Sequence, residues 1–278
     1  MATAVTAGVP GTLGAVCNHR TKQDMDVVHA EGKVTALDVN GDEVWSVEAE
    51  VPMGRVEDID IYANGKCQAM FCTEEALHLV DVKGREVSGF PLKPRRGTWT
   101  AWALVDYDSN RKYRYLLASS ATGLVENKRR EGETTPGWTH KPAASVDVQS
   151  PVRHIQHLRL GSRDYIYVGR EDGQVELLKR NGSTRAQTPV RVHASHPPVF
   201  RKGSGLDNTS VLFIDATQHV REFTLGQGAE VGISGLTRAD RLEWRDVDGD
   251  GVDDLVTTWK GESTAWDARN NPISLPGR

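Results

Sequence analysis

Residues 56–92 read VEDIDIYANGKCQAMFCTEEALHLVDVKGREVSGFPL, and this stretch decides the fold. Val56–Tyr62 has the length and apolar content of a strand. Asn64-Gly65 follows, and both residues tolerate the positive φ that a tight hairpin needs. Lys66–Cys72 reads as a second strand and Ala76–Val82 as a third. Lys83-Gly84 then turns the chain into a short outer strand within Arg85–Leu92, centred on Val87. Runs such as CQAMFC are apolar on both faces, which suits sheets covered on both sides.

Outward from this copy, the turn recurs. ALDVNGDEVW around Gly41, LVDVKGREVSGF around Gly84 and LLKRNGSTR around Gly182 are the clearest copies. KRREGETTPGW around Gly132, TLGQGAEVGI around Gly228 and WDARNNPISL around Asn271 complete the series. Successive anchors lie 43 to 50 residues apart, with a mean of 46. That length holds four short strands and three turns, the unit of a propeller blade. Six such units use nearly all of the 278 residues. The expectation is an all-β chain forming one six-bladed β-propeller of four-stranded antiparallel blades over residues 1–278. The approximate blades are 11–54, 55–97, 98–147, 148–195, 196–236 and 237–278. Thr12–Val16 is the candidate strand that closes the ring.

Composition sets the outer bounds. There are 38 acids against 34 bases, a net charge of −4, so a global basic field for nucleic acid is excluded. Nothing approaches the roughly 20 apolar residues of a membrane span. The start, MATAVTAGVPGTLG, lacks the basic n-region of a secretory signal. Cys67 and Cys72 are an odd offset apart in one strand run and so face opposite ways. With Cys17 they read as small buried hydrophobes.

The motif that carries chemistry is Asp246-Val247-Asp248-Gly249-Asp250-Gly251-Val252-Asp253-Asp254. Side-chain oxygens stand at loop positions one, three, five and nine, from Asp246, Asp248, Asp250 and Asp254. Gly251 at position six permits a sharp bend, and Val252 offers its carbonyl at seven. A hard cation wanting six to eight oxygens suits this spacing, so one structural Ca²⁺ is expected. Position twelve is Thr257, in a strand run, which places the loop on a β-hairpin and not in an EF-hand. Two other loops keep part of the pattern. Asp60-Ile61-Tyr62-Ala63-Asn64-Gly65 retains only the ends. Asp106-Tyr107-Asp108-Ser109-Asn110 keeps three oxygens, but Arg111 holds the glycine position and Arg114 position nine.

The segment DVDGDGVDDLVTTWKGESTAWDARNNPI, residues 246–273, resembles an FG-GAP or VCBS-type propeller repeat, the kind found in integrin α-subunit heads and many bacterial surface proteins. WALVDYDSNRKYRYLLASS, GWTHKP and DYIYVGREDGQVELLKRNG are similar to uncharacterised propeller proteins of Bacteroidetes-type bacteria. The resemblance implies a binding or assembly role and an extracellular or cell-surface location.

Catalytic signatures are thin. His154 and His157 have an odd offset and face opposite sides of one strand, and His193 and His196 precede Pro197-Pro198 in a loop. No nucleophile elbow, H-E-x-x-H or phosphate loop occurs. Trp45, Trp138 and Trp266 fall near the recurrent turn and are expected to pack blade on blade. Trp244 and Trp259 read as core. Trp99 and Trp102 are expected on opposite faces, so that at most one lines a groove for sugar or peptide. The basic runs Lys93–Arg96 and Lys128–Arg130 read as solvated rims. These features favour a non-enzymatic binding or scaffolding propeller whose partner is a protein or glycan. A carbohydrate-active enzyme on the same fold, a polysaccharide lyase or glycosidase, is the alternative, because propellers host many functions.

Overall fold

The computed structural model describes residues 12–128, 137–187, 191–192, 196–226, 230–231, 238–267 and 271–274. The turn anchors at Gly132 and Gly228, with Arg129, Arg130 and His193, lie outside them. The described chain is antiparallel β-structure with one short 3-10 turn at Leu206–Asn208. It divides into two compact units, Met1–His140 and Lys141–Arg278.

The first unit holds three sheets. Thr12–Asn18, Gln23–Ala30, Lys33–Leu37 and Glu43–Glu48 make the first; Glu57–Ile59, Gln68–Cys72 and Leu77–Val80 the second; Trp99–Val105, Arg114–Ser119, Val125–Lys128 and Trp138–Thr139 the third. In each, sequence neighbours are sheet neighbours. The strand QAMFC is buried at all five positions, and alternation explains why. Ala69 and Phe71 join a cluster with Val16, Met25, Val27 and Trp45 of the first sheet. Met70 and Cys72 point the other way, to Trp99, Tyr115 and Leu117 of the third. A sheet packed on both faces spends every side chain on burial, at roughly 1.5–3 kcal/mol per large apolar residue.

The second unit repeats the plan. Val152–Leu160, Arg163–Arg170, Val175–Leu178 and Thr184–Gln187 form the fourth sheet. Val199–Arg201, Ser210–Ile214, Val220–Thr224 and Glu230–Val231 form the fifth. Arg241–Arg245, Asp254–Trp259, Glu262–Trp266 and Pro272–Ile273 form the sixth. Leu158, Tyr165, Tyr167 and Leu177 meet Phe200, Val211 and Phe223 between the fourth and fifth. Leu212, Ile214 and Val220 meet Leu255, with Trp244 and Trp266 packed alongside, between the fifth and sixth.

The recurrent turn has one chemistry at its first two copies. The Asp38 carboxylate accepts the backbone N–H groups of Asn40 at 2.8 Å and Asp42 at 3.0 Å. Asp81 does the same for Lys83 at 2.8 Å and Arg85 at 3.1 Å. The residue between takes a positive φ, +84° at Gly41 and +72° at Gly84. Glycine meets that demand without a Cβ clash. At Gly84 it also leaves room for Trp45, whose Cβ would lie 2.9 Å from an added methyl group.

Several expectations are corrected. Thr12–Asn18 is no closing strand: it pairs with Gln23–Ala30, and the sixth sheet draws its four strands from residues 241–273. The outer strand of the second sheet is reduced to the isolated pairings Val80↔Glu86 and Leu77↔Leu92. Trp99 and Trp102 share a face, because a register shift between Trp99 and Ala101 inserts an extra residue and resets the alternation. Both belong to the packing between the second and third sheets, and the Trp102 indole donates to the Met53 carbonyl at 2.6 Å. Trp259 is half-buried, flanked by Arg238 at 5.8 Å and Lys260 at 5.4 Å from its ring. Trp45 is 4% exposed and packs between sheets as expected. Trp138 is half-buried on a two-residue edge strand.

Candidate metal centre

The acidic motif forms the first hairpin of the sixth sheet. The pair Arg245↔Asp254 ends the ladder on one side, and residues 246–253 make the loop. Backbone N–H groups fold it around its own carboxylates. Asp246 accepts from Gly249 at 2.7 Å and from Gly251 at 3.0 Å. Asp248 accepts from Asp250 at 3.1 Å, Asp250 from Val252 at 2.7 Å, and Asp254 from Val247 at 3.1 Å. Gly249 and Gly251 sit at φ +81° and +84°, which only glycine adopts cheaply.

This folding brings Asp246, Asp248 and Asp254 together, with one carboxylate oxygen of each within 4.8 Å of the others. Asp254 is buried, while Asp246 and Asp248 are exposed. Asp250 stands outside the trio, and Val252 is 55% exposed. Three hard oxygen donors converging from a glycine-bent loop match a divalent cation of the calcium type.

The hairpins at Asp60 and Asp106 have the same backbone. In each, the first aspartate accepts from the residues four and five further on: Asn64 at 3.0 Å and Gly65 at 2.6 Å, Asn110 at 3.1 Å and Arg111 at 2.7 Å. In each, the fifth-position side chain accepts the N–H two residues later, Asn64 from Lys66 and Asn110 from Lys112, both at 3.0 Å. Positive φ recurs at the same two offsets, Ala63 (+52°) with Gly65 (+75°), and Ser109 (+50°) with Arg111 (+62°). Arg111, which breaks the sequence pattern, is itself a cation supply. Its guanidinium Nη1 lies 2.7 Å from Asp60 Oδ2. Burial would raise the Asp60 carboxyl, but the N–H groups of Asn64 and Gly65 and the charge of Arg111 outweigh it and hold it below the usual range.

Sequence reasoning missed other polar clusters. Asp164, with its side chain 1% exposed, gathers His157 Nε2 at 2.8 Å, Arg159 Nη1 at 2.9 Å and the Arg180 guanidinium. Burial favours the neutral acid there, yet these hydrogen bonds keep the carboxyl below its ordinary value. His157 pairs with Ile166 and His154 with Gly169 in the ladder, so the two histidines do face opposite sides. Cys17 and Cys67, distant in sequence, are neighbours. The Cys17 N–H donates to Asp58 at 3.2 Å, and the Cys67 thiol is pushed up to about 12 by burial and by the adjacent Cys17 and Asp58. Cys72 is fully buried.

No family model and no curated protein sequence matches the chain. Solved structures do. The chain is similar to BBS1N in its complex with ARL6DN, at 12% identity and TM-score 0.64 over 98% of this chain and 85% of that one. It is similar to BamB from Moraxella catarrhalis at 15% identity and TM-score 0.57, over 94% and 75%. The computationally designed Ika8 protein gives 14% identity and TM-score 0.54, over 87% and 67%. BBS1N and BamB are β-propellers. The fold is a β-propeller. At these identities the likeness reaches the architecture alone.

Proposed function

We propose that the chain forms a six-bladed propeller of the FG-GAP or VCBS type, spanning residues 1–278, that serves as a non-enzymatic protein-binding or scaffolding module. One Ca²⁺ stiffens the first hairpin of its last blade, held by Asp246, Asp248 and Asp254, with Asp250 and the Val252 carbonyl completing the protein ligands beside water. The observation that carries the reading is the division of roles within each sheet. Apolar residues go to sheet-on-sheet packing, and the acidic motif and the aspartate-capped turns stand on hairpins at the sheet ends. A rigid body that presents variable loops is the usual design of a recognition scaffold. The complex of BBS1N with ARL6DN is a protein-bound example on the same architecture.

The test pairs two screens. Incubation with a panel of acidic and neutral polysaccharides should release no new reducing ends or unsaturated uronates. Cross-linking of the purified chain to candidate protein partners should give a saturable complex of fixed stoichiometry. Turnover of any polysaccharide, abolished by one carboxylate-to-amide substitution, would replace this reading with the carbohydrate-active one.

A further inference from the structure

Beyond the apolar cluster between the fourth and fifth sheets lies a cavity of about 580 Å³, lined on one side by Leu160, Arg163, Tyr165 and Arg185, and on the other by Leu206 and Asp207. This volume falls in the range of small-molecule sites. Its floor is continuous with the core: Leu160 is 3% and Tyr165 6% exposed, and Leu206 packs against the same cluster.

The polar lining is what calls for an occupant. Directly paired residues of a ladder share a face, and adjacent residues alternate. Arg159 pairs with Asp164, and Leu160 with Arg163. The face carrying Asp164 therefore holds paired cations, with Arg159 and Arg180 both on its carboxylate. The cavity face carries two arginines, Arg163 and Arg185, that have no carboxylate or hydrogen-bond partner among the described residues. Across from them, Asp207 also lacks a partner among the described residues. Asp207 stands where the side chain of any residue but glycine at position 226 would project, so Gly226 is what admits it. The result is a cationic wall, an acidic wall and an apolar floor in one hollow.

We propose that this cavity binds a small zwitterion of the apolar amino-acid or dipeptide type. The carboxylate would lie against Arg163 and Arg185, the ammonium against Asp207, and the apolar body over Leu160, Tyr165 and Leu206. Guanidinium forks suit a carboxylate, and charge-assisted hydrogen bonds in a half-enclosed site are stronger than those in open water.

Calorimetric titration of the full chain with leucyl-leucine, phenylalanine and 3-phenylpropionate tests the site. The third probe keeps the carboxylate and lacks the amine. Saturable 1:1 binding of a zwitterionic probe is expected, with the amine-free acid weaker. Leucyl-leucine tighter than phenylalanine assigns the peptide source, and the reverse assigns the free amino acid. Arg163→Ala with Arg185→Ala, both exposed positions that leave the core intact, should weaken binding by about tenfold or more. Asp207→Asn should erase the preference for the amine-bearing probe and leave the acid unaffected. Val51→Ala, an exposed position of the first unit, should change nothing here. Absence of saturable heat at about 10 mM of every probe, or wild-type affinity in the double arginine variant, overturns the proposal.

Discussion

Replacing Arg111 separates an electrostatic effect from a backbone effect at one position. Arg111 and alanine carry the same Cβ, so Arg111→Ala leaves the left-handed backbone equally unfavourable and reports the ion pair with Asp60. The Asp60 side chain is 12% exposed and that of Arg111 49%. The pair thus stands between about 0.2–1 kcal/mol for an exposed pair and about 3–5 kcal/mol for breaking a buried one. Water reaches the arginine, and two backbone N–H groups already serve the carboxylate, which places the loss near about 1–1.5 kcal/mol. Arg111→Gly loses the same pair but relieves roughly 1 kcal/mol of left-handed strain, so it should be nearly neutral. Urea unfolding at pH 7 reads the difference directly. The Asp60 carboxyl is held below its unfolded value, so the pair contributes fully above about pH 4 and fades as pH falls through the lower folded value. The Arg111→Ala penalty should shrink in acid accordingly. A glycine variant no more stable than the alanine variant, or a penalty that stays constant from pH 7 to pH 2.5, would refute the reasoning.

Chelator-treated protein should gain stability on adding Ca²⁺, about 2.7 kcal/mol at a hundredfold excess over Kd, and Asp248→Ala should abolish both the gain and the calorimetric heat. An unchanged melt would leave the aspartates as a plain acidic turn. Trp266→Ala, which empties packing on the fifth-sixth sheet cluster and removes a 2.9 Å hydrogen bond to Thr257, should cost about 2–3 kcal/mol, and Trp138→Ala about 1 kcal/mol at its edge strand. Equal melting temperatures for the two variants would contradict that ranking. Burial opposes ionisation of Asp215, but the Thr217 hydroxyl, the His219 N–H and Arg221 pull its carboxyl down to about 2. Asp215→Ala should therefore destabilise by about 1–2 kcal/mol at pH 7 and by almost nothing near pH 2, checked by thermal melts across that range.

Repetition made the architecture legible. Turns with glycine at +72° to +84°, at Gly41, Gly84 and Gly182, leave a sequence trace that can be counted along the chain, and an aspartate three residues earlier caps the first two. Strand alternation was legible only where the ladder is unbroken. It placed His154 and His157 correctly and failed at Trp99 and Trp102, because a one-residue bulge has no sequence signal of its own. The acidic hairpin was visible because its carboxylates are local in sequence. Asp246, Asp248 and Asp254 converge as the spacing implied, whereas the Asp250 carboxylate turns to the Val252 N–H. Arg111 looked like a defect when each loop was judged alone, since its partner Asp60 is 51 residues away. The contacts of Cys17 and Cys67 with Asp58, and the lining of one cavity by Arg163, Arg185 and Asp207, are likewise products of tertiary placement, and short-range spacing carries no trace of them.

Every sheet is completed within one contiguous stretch of chain, the first between Thr12 and Glu48 and the last between Arg241 and Ile273. That arrangement sets a schedule for synthesis. At roughly 5–20 residues per second, a ribosome needs on the order of 2–10 s to release the next 40 or so residues. A hairpin closes in microseconds. Each sheet can therefore zip while its successor is still being translated, and among the described strands none has to wait for a later sheet to be made. The nascent chain presents one unpaired outer edge at a time, which limits the interval in which strands of neighbouring chains on a polysome can pair with it.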